Sequence, residues 1–141
     1  MDLSEAGAGV FFGGVTMVAW GIWLVVGNAA SESIDPRTAA AISYVVATTL
    51  AVAYVVTSDA SLAVTPRGGV LAAVAGVFVA IGLISTYIGL SVGTTTTVST
   101  VGAMYFVVAA LIGMAVLGDE FTVGKGVGLV LAAVGVLLVA R

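Results

Sequence analysis

"GGVLAAVAGVFVAIGLISTYIGLSVGTTTTVSTVGAMYFVVAALIGMAVLG", residues 68–118, runs for 51 residues without a charged side chain. A membrane-spanning helix takes roughly 20 predominantly apolar residues, so this run holds two spans joined by a short turn. Further out, Ala6–Ser31 and Thr38–Ser58 are also uncharged. Phe121–Arg141 is interrupted only by Lys125 near its start, where a long side chain reaches the membrane interface. Together these runs predict an all-α membrane protein with five helices, at about 8–28, 38–57, 69–91, 96–117 and 122–140. They form a single transmembrane domain over 1–141.

Composition agrees. The chain is 61% hydrophobic and 8% charged, whereas a soluble domain needs about 25% charged residues to cover its surface. A transmembrane β-barrel requires strands that alternate apolar and polar, and these runs do not alternate. The acidic start (Asp2, Glu5) and the long, Trp-bearing "GVTMVAWGIWLVVGNAA" do not suit a cleaved signal peptide, so the first segment is expected to remain a span. Without Cys or His, the usual zinc, haem, thiol and imidazole chemistry has no ligands. The sparse Lys and acidic bias suit a salt-loving prokaryote and a plasma-membrane location.

The connections "AASESIDPR", "SDASLAVTPRG", "VGTT" and "GDEF" are all short. Pro36 and Pro66 stand where the second and third helices begin. Ser33 or Asp35 is expected to cap the second helix, Thr94 or Thr95 the fourth and Thr122 the fifth. Small residues recur every four positions: Gly9 and Gly13; Gly68, Ala72, Gly76 and Ala80; Gly124, Gly128 and Ala132, with Gly135 beside the last set. Such ridges let helix backbones approach closely in lipid, either within one bundle or between subunits.

Lys and Arg near span ends set orientation. Five spans place Arg67 and Lys125 on the N-terminal side and Arg37 and Arg141 on the other, two against two. The even count is either chance or the mark of a chain that inserts both ways and pairs with an inverted copy.

Carboxylates within spans would be the best functional pointers, but Asp2, Glu5, Glu32, Asp35, Asp59, Asp119 and Glu120 all fall in a tail or a connection. Proton coupling through a buried carboxylate on the first helix is therefore not expected. Aromatic and hydroxyl groups remain. Tyr105 falls mid-span in the fourth helix, where its hydroxyl needs either a backbone partner or a cavity. Trp20 and Trp23 share a face of the first helix, and interfacial anchoring suits Trp23 better. Asn28 stands near that helix's end as a C-cap or interface group. Tyr87 either anchors at the interface or gates access; Thr97, Ser99 and Thr100 lie deep enough to meet a cavity, and Thr48 and Thr49 are expected to bond their own helix.

"LGDEFTVGKG", residues 117–126, is the most polar stretch of the second half. It fails as a phosphate loop: five residues separate Gly118 from Gly124, Gly126 follows Lys125, and an apolar helix precedes it. Asp119 and Glu120, adjacent in sequence, have no nearby base or metal set for paired-carboxylate catalysis. No enzyme activity is expected.

"VAWGIWLVVGNA", residues 18–29, resembles the Trp-Gly opening of the drug/metabolite transporter (EamA-type) repeat. Residues 103–139, "AMYFVVAALIGMAVLGDEFTVGKGVGLVLAAVGVLLV", resemble its last two helices, with the LGE-x-x-T connection appearing as Leu117 to Thr122. The likeness spans essentially the whole chain as one five-helix repeat. Two positions depart from the pattern. Asn28 stands near the place of a Lys found in small members, which tells against an anionic substrate. Phe106 replaces the Pro that usually follows the Tyr of the fourth helix, which predicts a straighter helix there.

Larger relatives carry two such repeats in opposite orientation around a central cavity. The resemblance thus implies half of an inverted-repeat transporter, completed as an antiparallel homodimer or with a paralogue. A small neutral or amphipathic metabolite is expected to move by rocking of one protomer against the other, along helices one, three and four, with Trp20, Tyr87, Thr97 and Tyr105 as the expected contacts. No cofactor and no nucleic-acid partner is expected. A non-transporting subunit or scaffold beside a larger partner would share the same composition.

Overall fold

The computed structural model of the protein describes residues 3–58 and 63–140; Asp2, Asp59 and Arg141, used in the charge counts above, lie outside them. The regular elements of the described residues are all helical: α1 Leu3–Ser31, α2 Pro36–Thr57, α3 Pro66–Val92, α4 Thr95–Ala103, α5 Tyr105–Ile112, a π-helical turn Gly113–Leu117, and α6 Val123–Val139. Four segments are long and apolar enough to cross a membrane: Gly7–Ser31, Pro36–Thr57, Pro66–Val92 and Thr95–Leu117. The fifth, α6, has 17 residues, about 26 Å at 1.5 Å per residue. This is an integral membrane protein of five apolar helical segments.

The caps follow the local chemistry. Asp35 accepts the Arg37 N–H at 2.9 Å ahead of Pro36, so Asp35 rather than Ser33 caps α2. Thr65 accepts the Gly68 N–H at 3.2 Å ahead of α3, Thr94 caps α4 through the Thr97 N–H at 3.1 Å, and Thr122 caps α6 through the Lys125 N–H at 3.2 Å. Each satisfies a donor that a helix start leaves free. Asn28 is not a C-cap: α1 continues three residues past it, and its carbonyl accepts the Glu32 N–H at 3.2 Å. Glu5 lies inside α1 but ahead of the candidate span Gly7–Ser31.

The fourth segment corrects the expectation of a straighter helix. Its hydrogen-bond ladder breaks at Met104, whose N–H reaches back three residues to Val101 at 3.1 Å, with ψ at −7°. Proline is not needed for this. Ser99 and Thr100 both turn their hydroxyls onto the Thr96 carbonyl, at 3.1 and 2.6 Å, and Gly102 weakens the next turn. Hydroxyl back-bonding bends helices and glycine costs about 1 kcal/mol of helix propensity. The segment closes in the π turn and then Gly118, at φ 76°, the left-handed conformation glycine adopts freely.

Two compact units divide the chain, Met1–Val92 and Gly93–Arg141. In the first, α1, α2 and α3 pack on one another. Its buried residues gather at one end: Ala39 and Ala40 at the start of α2, Tyr87 and Leu90 near the end of α3, and Gly27 near the end of α1. Towards the other end Phe11, Phe12, Tyr54 and Val70 are exposed. In the second unit α4 packs on α6, and Gly113 is buried with the Asp119 carboxylate laid against it.

Close approach at glycine does not follow the ridges. A Cβ at Gly9, Gly13, Gly76, Gly128 or Gly135 would meet nothing within 4 Å. A Cβ would be tight at Gly27, 3.2 Å from the Tyr87 hydroxyl, at Gly126, 2.7 Å from the Phe121 ring, and at Gly113, against the Asp119 carboxylate. It would also be tight at the start of α3, where Gly68 and Gly69 meet only the local Thr65 hydroxyl at 2.9 Å and Val64 at 3.2 Å. Inside their own units, then, Gly9, Gly13, Gly76, Gly128 and Gly135 stand open.

Candidate functional site

An aromatic ladder organises the first unit. The i, i+3 spacing of Trp20 and Trp23 brings their rings edge-to-face at 5.0 Å. Trp23 in turn stands edge-to-face against Tyr87 of α3 at 5.7 Å. The Tyr87 hydroxyl shares a 2.5 Å hydrogen bond with Ser43 of α2, which gives the largest fully buried side chain among the described residues a polar partner. Gly27 admits this ring because it has no side chain of its own.

Beside the ladder lies a cavity of about 330 Å³, lined by Trp20, Trp23, Ser43, Tyr44, Val79 and Leu83, with Ala19 and Ala47 leaving the room. Trp20 lies one residue from the midpoint of the span Gly7–Ser31, and Val79 is the midpoint of Pro66–Val92. Tyr44 lies between two and three residues, roughly 4 Å, from the midpoint of Pro36–Thr57. The cavity therefore sits at mid-depth. The Tyr44 hydroxyl donates to the Val79 carbonyl, which ties α2 to α3 beside the opening. None of the lining residues carries a formal charge, so the site offers shape, π faces and a few oxygens.

Trp20 and Tyr87 thus come into one assembly through Trp23, with Trp20 half-exposed on the cavity wall and Tyr87 buried behind it. Trp23 is wedged between them. Thr97 belongs to the α4 cap, where its hydroxyl accepts from Thr94 at 2.9 Å. Tyr105 opens α5 directly after the Met104 break and is 68% exposed, and its hydroxyl bonds none of the described residues. The backbone partner considered for it is absent among them. Thr49 does bond its own helix, to the Val45 carbonyl at 2.7 Å.

The sequence reading missed α2. Ser43 and Tyr44 supply the cavity's hydroxyls, yet helix two was left out of the path. Their signal was a polar pair a third of the way into an apolar span, which Thr48 and Thr49 overshadowed.

A second cavity, about 340 Å³, lies in the other unit between Ala110, Met114, Asp119, Glu120, Lys125 and Leu129. Lys125 Nζ donates to the Glu120 carbonyl at 2.7 Å, so the polar connection folds onto itself. Among the described residues no three Asp, Glu, His or Cys side chains converge as a metal site would require. No curated protein and no solved structure is significantly similar to the chain. The model of the EamA-like transporter family matches residues 7–141, across both units and the aromatic cavity, and the protein therefore belongs to the EamA-like transporter family.

Proposed function

We propose that the protein is a transporter subunit that moves a small neutral or amphipathic metabolite across the plasma membrane of a prokaryotic cell by alternating access. Its family is one of transporters rather than enzymes. The observation that carries the reading is the uncharged, aromatic-walled cavity at mid-depth of the first unit. Secondary transporters bind their substrates at that depth. Closure confined to one end of the same unit, at Ala39, Ala40, Tyr87 and Leu90, supports access from one side at a time.

Completion by a second copy in the opposite orientation belongs to the same proposal. The open ridge on α6, Gly128 with Gly135, supports it, because bare glycines suit a close helix-to-helix approach in lipid. Trp20 is the proposed substrate contact in the first unit, with Tyr87 buried behind it to hold the wall, and Thr97 and Tyr105 are those proposed in the second. Tyr105, exposed and without a described partner, is the one whose loss disturbs the fold least.

Uptake of a labelled metabolite panel into proteoliposomes tests the reading. At least one solute is expected to accumulate, and Trp20→Ala and Tyr105→Ala are each expected to reduce that flux several-fold. No flux for any solute would favour a non-transporting subunit. A Tyr105→Ala protein with unchanged flux would remove Tyr105 from the path.

A further inference from the structure

The cavity also bears on what is carried, an inference that rests on the transport reading above and narrows its solute to an amphipathic molecule that bears a positive charge. We propose that it holds a small organic cation, a quaternary or substituted ammonium, against the π faces of Trp20, Trp23 and Tyr44.

Lipid is the competitor that decides. At mid-depth the surroundings are hydrocarbon, as apolar as the cavity's own Ala19, Ala47, Val79 and Leu83. A neutral apolar molecule gains little by leaving lipid for such a wall, and it crosses the bilayer without a carrier. A carrier serves a solute that hydrocarbon rejects, and its site must supply what hydrocarbon lacks. What this wall adds is rich in electrons. Three large aromatic rings border the space, and an ammonium within about 6 Å of such a ring is attracted to its face, most strongly by Trp.

The oxygens point the same way. The Tyr44 hydroxyl commits its proton to the Val79 carbonyl and keeps its lone pairs. Ser43 and Tyr87 bond each other, so one proton and three lone pairs remain between them. An anion meets no positive side chain in the lining. The indole N–H groups of Trp20 and Trp23 bond none of the described residues, and they suit a hydroxyl or ester oxygen borne on the same molecule. A volume near the lower end of ligand cavities fits a small amino alcohol rather than a drug-sized cation.

Trp20 and Trp23 are the only two tryptophans, so selectively excited tryptophan fluorescence of the purified protein reports this site alone. Choline and tetraethylammonium are compared, at matched ionic strength, with 3,3-dimethylbutan-1-ol, which replaces the choline nitrogen by carbon. At least one cation is expected to give a saturable change with at least tenfold higher affinity than the alcohol. Tyr44→Leu is expected to weaken that cation at least tenfold, while Tyr44→Phe, which keeps the ring and loses the Val79 bond, stays within about threefold. Neither cation outbinding the alcohol overturns the proposal on the unaltered protein, whatever the variants do. If the proteoliposomes carry some solute while both cations fail here, the cation assignment falls and transport stands. If a cation binds selectively and no solute is moved, the site stands and transport falls.

Discussion

At the scale of single residues, Gly27 and Tyr87 are a matched pair. A Cβ at Gly27 would lie 3.2 Å from the Tyr87 hydroxyl and 3.3 Å from Cζ. The ring is held on two sides, since Ser43 bonds its hydroxyl and Trp23 packs edge-to-face against it. Gly27→Ala therefore sets a helix-propensity gain of up to about 1 kcal/mol against overpacking of roughly 1–3 kcal/mol. A net loss of about 1 kcal/mol is expected. Gly21→Ala, on the same helix with nothing within 4 Å, is expected to be neutral or slightly stabilising. Thermal unfolding of both in one detergent checks this, and a Gly27→Ala protein that melts at or above Gly21→Ala would mean the ring is not held. The Trp20–Trp23 pair was legible in the sequence because helical geometry alone fixes it. The Ser43–Tyr87 bond was not, because it joins residues 44 positions apart, and only the packing of α2 on α3 selects that pair among all the hydroxyls.

At the scale of elements, run length and charge located four long candidate spans and the shorter apolar α6. Ends shifted where polar residues continued a helix, as at Asn28–Ser31. The fourth segment is where the reading failed, because it weighed a missing proline and not the competition for the Thr96 carbonyl. Thr100→Val combined with Gly102→Ala removes both the side-chain bond and the glycine. The Met104 N–H is then expected to move from Val101 to Thr100 and continue the α ladder. Hydrogen exchange at the Met104 and Val107 amides should slow about fivefold, corresponding to about 1 kcal/mol of helix propensity. Unchanged exchange would place the cause of the break elsewhere. The connection after this segment was partly legible: Thr122 as a cap follows from local chemistry, whereas the Asp119 carboxylate on Gly113 and the Phe121 ring on Gly126 depend on how the chain folds back.

At the scale of the whole molecule, the proposed pairing with an inverted copy turns on the orientation in which the chain inserts. Arg37, Arg67 and Lys125 are all exposed at helix starts, free to act as orientation signals. Counted along five crossings they stand, with Arg141, at two against two. An antiparallel homodimer needs both orientations in similar amounts, so reporters fused after residue 141 should be detected on both sides of the membrane. The balance should also be easy to tip, because no hydrophobic difference backs either orientation. Arg67→Ala with Lys125→Ala leaves none against two, and the C-terminal reporter should then collect on the cytoplasmic side. Arg37→Ala leaves two against one and should drive it outward. None of these side chains supports packing: Arg37 contributes a 3.9 Å exposed ion pair with Asp35, of little energetic weight, and Lys125 a single bond to the Glu120 carbonyl. Co-expressing the two biased variants should restore transport that neither gives alone, as expected when each supplies one orientation. A single orientation in the unaltered chain would sink the homodimer and leave pairing with a paralogue, whose own charge bias would then have to be opposite.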